Sequence, residues 1–305
     1  MIQRPLPQSL DWHASVSSGW DPESGIDAPF SFGSLSKDIY DYENIFEKLV
    51  DDISKSEKSY LLNPITDVSE PEIFPEVRNP IAEEVVAVDP AQANSTRIFP
   101  KAALWQSGWE NAKPYIVVRE QVLERLKHAA EILNEFNPEL SLCITDGWRS
   151  IEQQRDLYNS FYPDGWQEGE PVYVSIPHDS DLHAAPHPSG GAVDVLLGIG
   201  NQAIRIGSDL DYMDKEANTD HFEDPKYKDS LVQNMRRIFV NTMIESGFIC
   251  IDSEWWHFEY GTRRWAGKIG TEPLYGNAKF GPSVYENIRP VDPIELSRRS
   301  EIVSK

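Results

Sequence analysis

The sequence is poor in cysteine: Cys143 and Cys250 are the only two in 305 residues, too few for a disulfide framework. Both sit in apolar runs and read as buried thiols of a reducing compartment. No run of about eighteen apolar residues occurs, so no transmembrane helix is expected. The opening stretch, MIQRPLPQSLDWHASVSSGW, has one arginine but no apolar core. It does not read as a secretory signal, and a cytoplasmic location is expected. Basic residues are also scarce, with 28 Lys+Arg against 50 Asp+Glu and a net charge of −22. That balance excludes docking through bulk charge on a phosphate backbone or an anionic membrane, so neither is expected as a partner. Apolar residues are not scarce. At 40% hydrophobic and 11% aromatic the chain can bury a core, which excludes wholesale disorder.

Charge and proline divide the chain. The first 100 residues hold 18 acidic and 7 basic residues and 10 of the 22 prolines. Asp38 to Ser54 reads as an acidic amphipathic helix, with Ile39, Ile45, Phe46, Leu49 and Ile53 on one face. Prolines at 64, 71, 75, 80, 90 and 100 then break the chain into extended pieces. Residues 1–75 are therefore expected to be an irregular acidic extension on the surface of a main domain at 76–270, with a tail at 271–305. Within the main domain, Pro80 to Val88 reads as a strand and Val117 to Phe136 as a helix closed by Pro138. Leu140 to Thr145 reads as a buried strand and Arg149 to Tyr158 as a helix. A long loop spans 161–186, and Ala192 to Leu197 is strand-like. Leu231 to Ser246 is a helix ended by Gly247. Phe248 to Ile251 and Trp256 to Tyr260 form a hairpin, and Pro293 to Ser300 suggests a short helix.

Two segments carry chemistry, His187-Pro-Ser-Gly-Gly-Ala-Val-Asp194 and Glu254-Trp-Trp-His257. A catalytic zinc site takes three N/O ligands and keeps one position open. His187, Asp194 and His257 supply two imidazoles and a carboxylate. Glu254 is then left over as a carboxylate suited to general-base work on water. Gly190 and Gly191 let the chain turn back so that His187 and Asp194 face one point. A regular strand would put residues 254 and 257 on opposite faces, so a turn or bulge at Trp255 is expected.

The order His-x-x-Gly-x-Ala-x-Asp followed by Glu-x-Trp-His resembles the zinc D,D-peptidases of the D-alanyl-D-alanine dipeptidase and carboxypeptidase family. Asp146 to Tyr158 resembles that family's arginine block. Arg119-Glu120 with Val122, Leu123 and Arg125-Leu126 resembles its preceding helix, and Met243 with Gly247-Phe248 resembles the lead-in to its last metal ligand. The likeness runs from about residue 80 to 265. It implies one Zn²⁺ per chain on His187, Asp194 and His257, with Glu254 as catalytic base and Arg149 facing the scissile carbonyl. The bland alternative for Arg149 is a surface ion pair with Asp146 or Glu152. More loosely, the likeness implies that Asp214 holds the substrate's free amine, where the alternative is a loop or N-cap aspartate. Ala185 stands where the family carries Ser or Thr.

The expected fold is α+β, a small antiparallel sheet carrying the zinc site with helices packed on one side. The expected activity is hydrolysis of a D-residue dipeptide such as D-alanyl-D-alanine, a short peptide substrate. The alternatives are a D,D- or L,D-carboxypeptidase acting on cell-wall peptides, or a zinc-binding module without catalysis.

Overall fold

The computed structural model describes residues 42–106, 109, 111–169, 172–212, 214–280, 284 and 288–291. The expected helix at 293–300, Met213 and the residues before 42 lie outside these. The described chain runs through α1 (Tyr42–Ser54), β1 (Val85–Ala87), α2 (Ala93–Thr96), β2 (Ile98–Pro100), α3 (Ala103–Gln106), β3 (Val117–Arg119), α4 (Glu120–Asn134), β4 (Leu140–Asp146) and α5 (Ile151–Phe161). It continues through α6 (Pro186–Ser189), β5 (Ala192–Ile199), β6 (Gln202–Ala203), α7 (Leu231–Glu245), β7 (Ile249–Cys250), β8 (His257–Glu259) and α8 (Arg263–Ile269). The class is mixed α+β, as expected. Among the described residues no helix is long and apolar enough to cross a membrane.

The main sheet has the order β2-β4-β5-β8-β7, with β6 paired to β5. It is not wholly antiparallel: β2 runs parallel to β4, in register Ile98↔Leu142 to Pro100↔Ile144. The sequence reading missed β2, a three-residue strand closed by Pro100, where proline's missing N–H is tolerated at the edge. Nor are helices confined to one side. Val193, Val195, Leu197 and Ile199 of β5 point into the main core with α4 and α7. Asp194 alternates with them, and α6 brings His187 to that other face. The expected helix start at Val117 is also corrected. Val117 and Val118 are β-branched and pair with Val85–Ala87, so the helix begins at Glu120.

The largest correction concerns the N-terminal segment. Helix α1 is acidic on its outer face, but Phe46, Leu49 and Ile53 are fully or almost fully buried in the main core, packed on α7. Leu61 and Ile65 follow them inward. Asn241 Nδ2 donates to the carbonyls of Leu61 (3.0 Å) and Asn63 (2.9 Å), and Glu223 accepts from the Ile65 N–H at 3.1 Å. Residues 44–65 complete the core rather than cover it.

Candidate metal centre and active-site cavity

The sheet register places the site. Asp194 pairs directly with His257 across β5 and β8, and with Asp146 across β5 and β4 after a register shift following Ile144. Directly paired residues project from the same face, so three polar side chains lie in a row. His187 joins them from α6, whose first residue is Pro186. Gly190 caps that helix at φ +74°, a left-handed conformation suited to glycine, and donates to the His187 carbonyl at 2.9 Å. A side chain on Gly191 would meet the Tyr260 carbonyl at 2.5 Å, so the return into β5 also requires glycine.

His187, Asp194 and His257 are buried, and their potential ligand atoms lie within 4.8 Å of one another. His257 Nδ1 is 3.0 Å from Asp194 Oδ1, and His187 Nε2 is 3.5 Å from Asp194 Oδ2. Each imidazole is engaged at its far nitrogen. His187 Nδ1 lies 2.6 Å from the Gly147 carbonyl, and His257 Nε2 lies 3.0 Å from Glu259 Oε1. A proton held at each far nitrogen leaves the near nitrogen's lone pair aimed at the cluster, the arrangement of metal-ligating histidines. The donor set therefore fits a divalent metal ion.

The acids around the cluster also set its charge. Burial alone would raise the Asp194 carboxyl, but His187 and then His257 outweigh it and hold it far below the ordinary carboxylate range. Burial would lower the His257 imidazole, yet its hydrogen bonds to Asp194 and Glu259 raise it to about 10, so without a metal the ring holds both protons and a bound cation would displace the one facing Asp194. Glu259 is the carboxylate that motif reading missed. Burial would raise it, but Arg264, and then His257 and Thr262, bring it down to about 2. It accepts from His257, from Thr262 Oγ1 and from Arg264 Nη1. Its signal was available, because residue i+2 on a strand shares the face of i.

Arg149 lies beside the cluster, its side chain 13% exposed. Its Nε donates to Asp146 Oδ2 at 2.7 Å and its Nη2 to Asp194 Oδ2 at 3.2 Å. The pairing with Asp146 foreseen as the bland alternative does occur, but it is buried and aims the guanidinium at the cluster. Burial would lower the Arg149 pKa, and Asp146 and Asp194 reverse that and raise it.

Glu254, half-buried, begins the expected turn: the His257 N–H donates to the Glu254 carbonyl at 3.2 Å, with buried Trp255 and Trp256 between them. Glu254, Arg149, His187, Asp194 and His257 all line one cavity of about 320 Å³. Asp214 does not line it. It is an exposed N-cap whose carboxylate accepts from the Lys215 N–H at 2.8 Å, because its short side chain satisfies the start of the 3₁₀ turn Lys215–Ala217. The acid that lines the cavity from this segment is Asp211, held in a left-handed turn at φ +56°. Nothing in local spacing distinguished the two. The loop bearing Asp211 is tied to the turn bearing Glu254. Trp255 Nε1 donates to Ser208 Oγ at 2.8 Å, and buried Arg236 donates to the carbonyls of Ile206, Glu216 and Asn218 beside the Trp255 ring.

The family model for D-Ala-D-Ala dipeptidases matches residues 109–271, more than half of the sequence. The chain belongs to the D-Ala-D-Ala dipeptidase family. The family is one of metal-dependent peptidases, and the whole His/Asp/His cluster falls inside the matched range. A curated relative, the D-alanyl-D-alanine dipeptidase of Synechocystis sp., is 26% identical over 235 residues, covering 68% of this chain and 89% of that protein. The solved structure of the vancomycin-resistance D,D-dipeptidase VanXYg with a D-Ala-D-Ala phosphinate analogue aligns at 21% identity and a TM-score of 0.30. That alignment covers 52% of this chain and spans 57% of that one.

Proposed function

We propose that this chain hydrolyses free dipeptides containing D-residues, D-alanyl-D-alanine being the prototype, with one zinc ion per chain held by His187, Asp194 and His257. The observation that carries the reading is the convergence of that donor set, the Arg149 guanidinium and the Glu254 carboxylate on one cavity. When bound, zinc supplies Lewis acidity that polarises the scissile carbonyl and makes a water easier to deprotonate. Glu254 takes the proton from the attacking water and returns it to the leaving amine. Arg149, fixed by Asp146, meets the charge that develops on the carbonyl oxygen. Gly147 and Glu259 keep the two imidazoles in one orientation. Asp211, in place of Asp214, receives the substrate's ammonium, since a desolvated ammonium requires a carboxylate partner.

The catalytic unit in this reading begins at α1 rather than at residue 76, because Phe46, Leu49 and Ile53 belong to its core. A cytoplasmic setting suits Cys143 and Cys250, both buried free thiols. The test is a comparison of free dipeptides with N-acylated and longer cell-wall peptides, with and without a chelator and with zinc restored. Chelator-sensitive cleavage of free D-dipeptides is expected. Preference for N-acylated peptides would establish a carboxypeptidase instead, and zinc binding without cleavage of any peptide would establish a binding module.

A further inference from the structure

We infer that the dipeptide this enzyme prefers carries a large apolar side chain, benzyl or isobutyl in size, seated on an aromatic wall that continues from the metal cluster along α5. The inference rests on the dipeptidase reading and specifies its substrate. The cavity has two chemically distinct ends. One is the polar end already described. The other is lined by Leu104, Trp109, Leu157, Phe161, Tyr173 and Val174.

The wall starts at the catalytic groups and leads away from them. Gln154 Oε1 is 3.5 Å from Arg149 Nη1, and Gln154 Nε2 donates to the Ser175 carbonyl at 2.8 Å. Leu157 and Phe161 follow Gln154 at helical spacing on the same stripe of α5. At 1.5 Å per residue, the stripe reaches about 10 Å beyond Gln154. A methyl side chain needs only a small part of that length. The cavity volume of about 320 Å³ falls within the range of roughly 300–1,000 Å³ found for sites that enclose drug-sized ligands. Two alanines do not fill it.

The wall is also built, not incidental. Its residues form an apolar cluster separate from the main core, around buried Leu157, Tyr162 and Val174. The Tyr173 N–H donates to Tyr162 Oη at 2.7 Å, and the Trp166 N–H donates to Tyr158 Oη at 3.2 Å, so α5 clasps the segment that faces it. Phe161 and Tyr173 hold their ring centroids 6.3 Å apart. Contiguous apolar surface facing a cavity, with its rings fixed in advance, marks a place where an apolar group is bound. The reaction is unchanged. The amide C–N bond breaks, the hydroxyl of water joins the acyl carbon, and its proton goes to the amine.

The test is kcat/KM of the zinc-loaded full chain on D-Ala-D-Ala, D-Ala-D-Leu, D-Ala-D-Phe and D-Phe-D-Ala, which carry the bulk at either position. At least one benzyl dipeptide should exceed D-Ala-D-Ala by about 10-fold or more, the range that apolar pocket contacts supply. Phe161→Ala should reduce that ratio by about 5-fold or more, since a smaller wall gives back part of the same discrimination. Tyr173→Ser, on the facing segment, is the second variant if Phe161→Ala does not fold. Rapid cleavage of D-Ala-D-Ala with no gain from bulk, or a ratio that neither variant moves, would overturn the inference and leave the dipeptidase reading intact. If no dipeptide is cleaved, that reading fails by itself. Thermal shifts with phosphinate analogues of D-Ala-D-Phe and D-Ala-D-Ala then decide the wall. A larger shift with the benzyl analogue supports it, and equal shifts overturn it.

Discussion

The sheet that carries the His/Asp/His cluster and the N-terminal segment 42–76 are positioned by different means. On the sheet, backbone register does the work: pairing of Asp194 with His257 places two of the candidate ligands side by side, and strand alternation adds Glu259. The N-terminal segment holds to the rest of the fold through apolar side chains and distant basic residues. Phe46, Leu49 and Ile53 bury against α7. Arg263 donates to the carbonyls of Phe74 and Pro75, each at 2.8 Å, and Lys268 Nζ donates to those of Asp67 and Ser69, each at 2.9 Å. Arg264 pairs with Glu70 at 2.8 Å and also reaches Glu259, so this strap touches the network behind His257. Glu70 and Phe74 line the cavity. An acidic, proline-rich composition therefore describes the solvent face of a segment and not whether the core can do without it.

The contrast can be broken most severely at the sheet. His257→Ala should abolish both metal binding and hydrolysis, read by elemental analysis and by release of D-alanine. Full metal occupancy in that variant would remove His257 from the ligand set. Next in size, Arg149→Ala should lower kcat by about 10²–10³-fold with little change in KM, because the charge it meets arises only in the transition state. A pure KM effect would assign Arg149 to ground-state binding.

The N-terminal segment should answer in stability before chemistry. Phe46→Ala should cost about 3–5 kcal/mol, the range for a buried phenylalanine truncated in a core, measured by denaturant unfolding. Native protein of this variant should still bind metal. A loss within about 0.5 kcal/mol would restore the picture of a surface extension. The smallest effect is expected from Glu70→Gln. Its ion pair with Arg264 is half exposed and worth at most about 1 kcal/mol, and Glu259 remains to hold Arg264. A change in kcat/KM within a few-fold fits the account, whereas a collapse of activity would make the strap part of the catalytic machinery.

What could be read from the sequence was local. The helices at α4, α5 and α7 follow the 3.6-residue period, and the His187–Asp194 and Glu254–His257 segments are short enough that spacing and glycine content imply their geometry. What could not be read was made by contacts between distant residues. Asp211 and Asp214 lie three residues apart, and only the anchoring of their loop through Ser208 and Arg236 turns the first to the cavity and leaves the second as an exposed cap. Strand β2 is three residues long, and its identity comes from pairing with β4 about forty residues away. The apolar wall joins Leu104, α5 and the segment at 172–175, which no single window contains.

In the proposed mechanism a metal held by His187, Asp194 and His257 acts together with Glu254 as the base. The most direct test measures zinc content and the rate of D-Ala-D-Ala hydrolysis on the same preparation of Glu254→Gln. One zinc per chain, unchanged unfolding, and kcat reduced by about 10²–10⁴-fold, the usual worth of a general acid–base, are expected. A near-normal rate with zinc in place would contradict that mechanism and assign the proton transfer to another group.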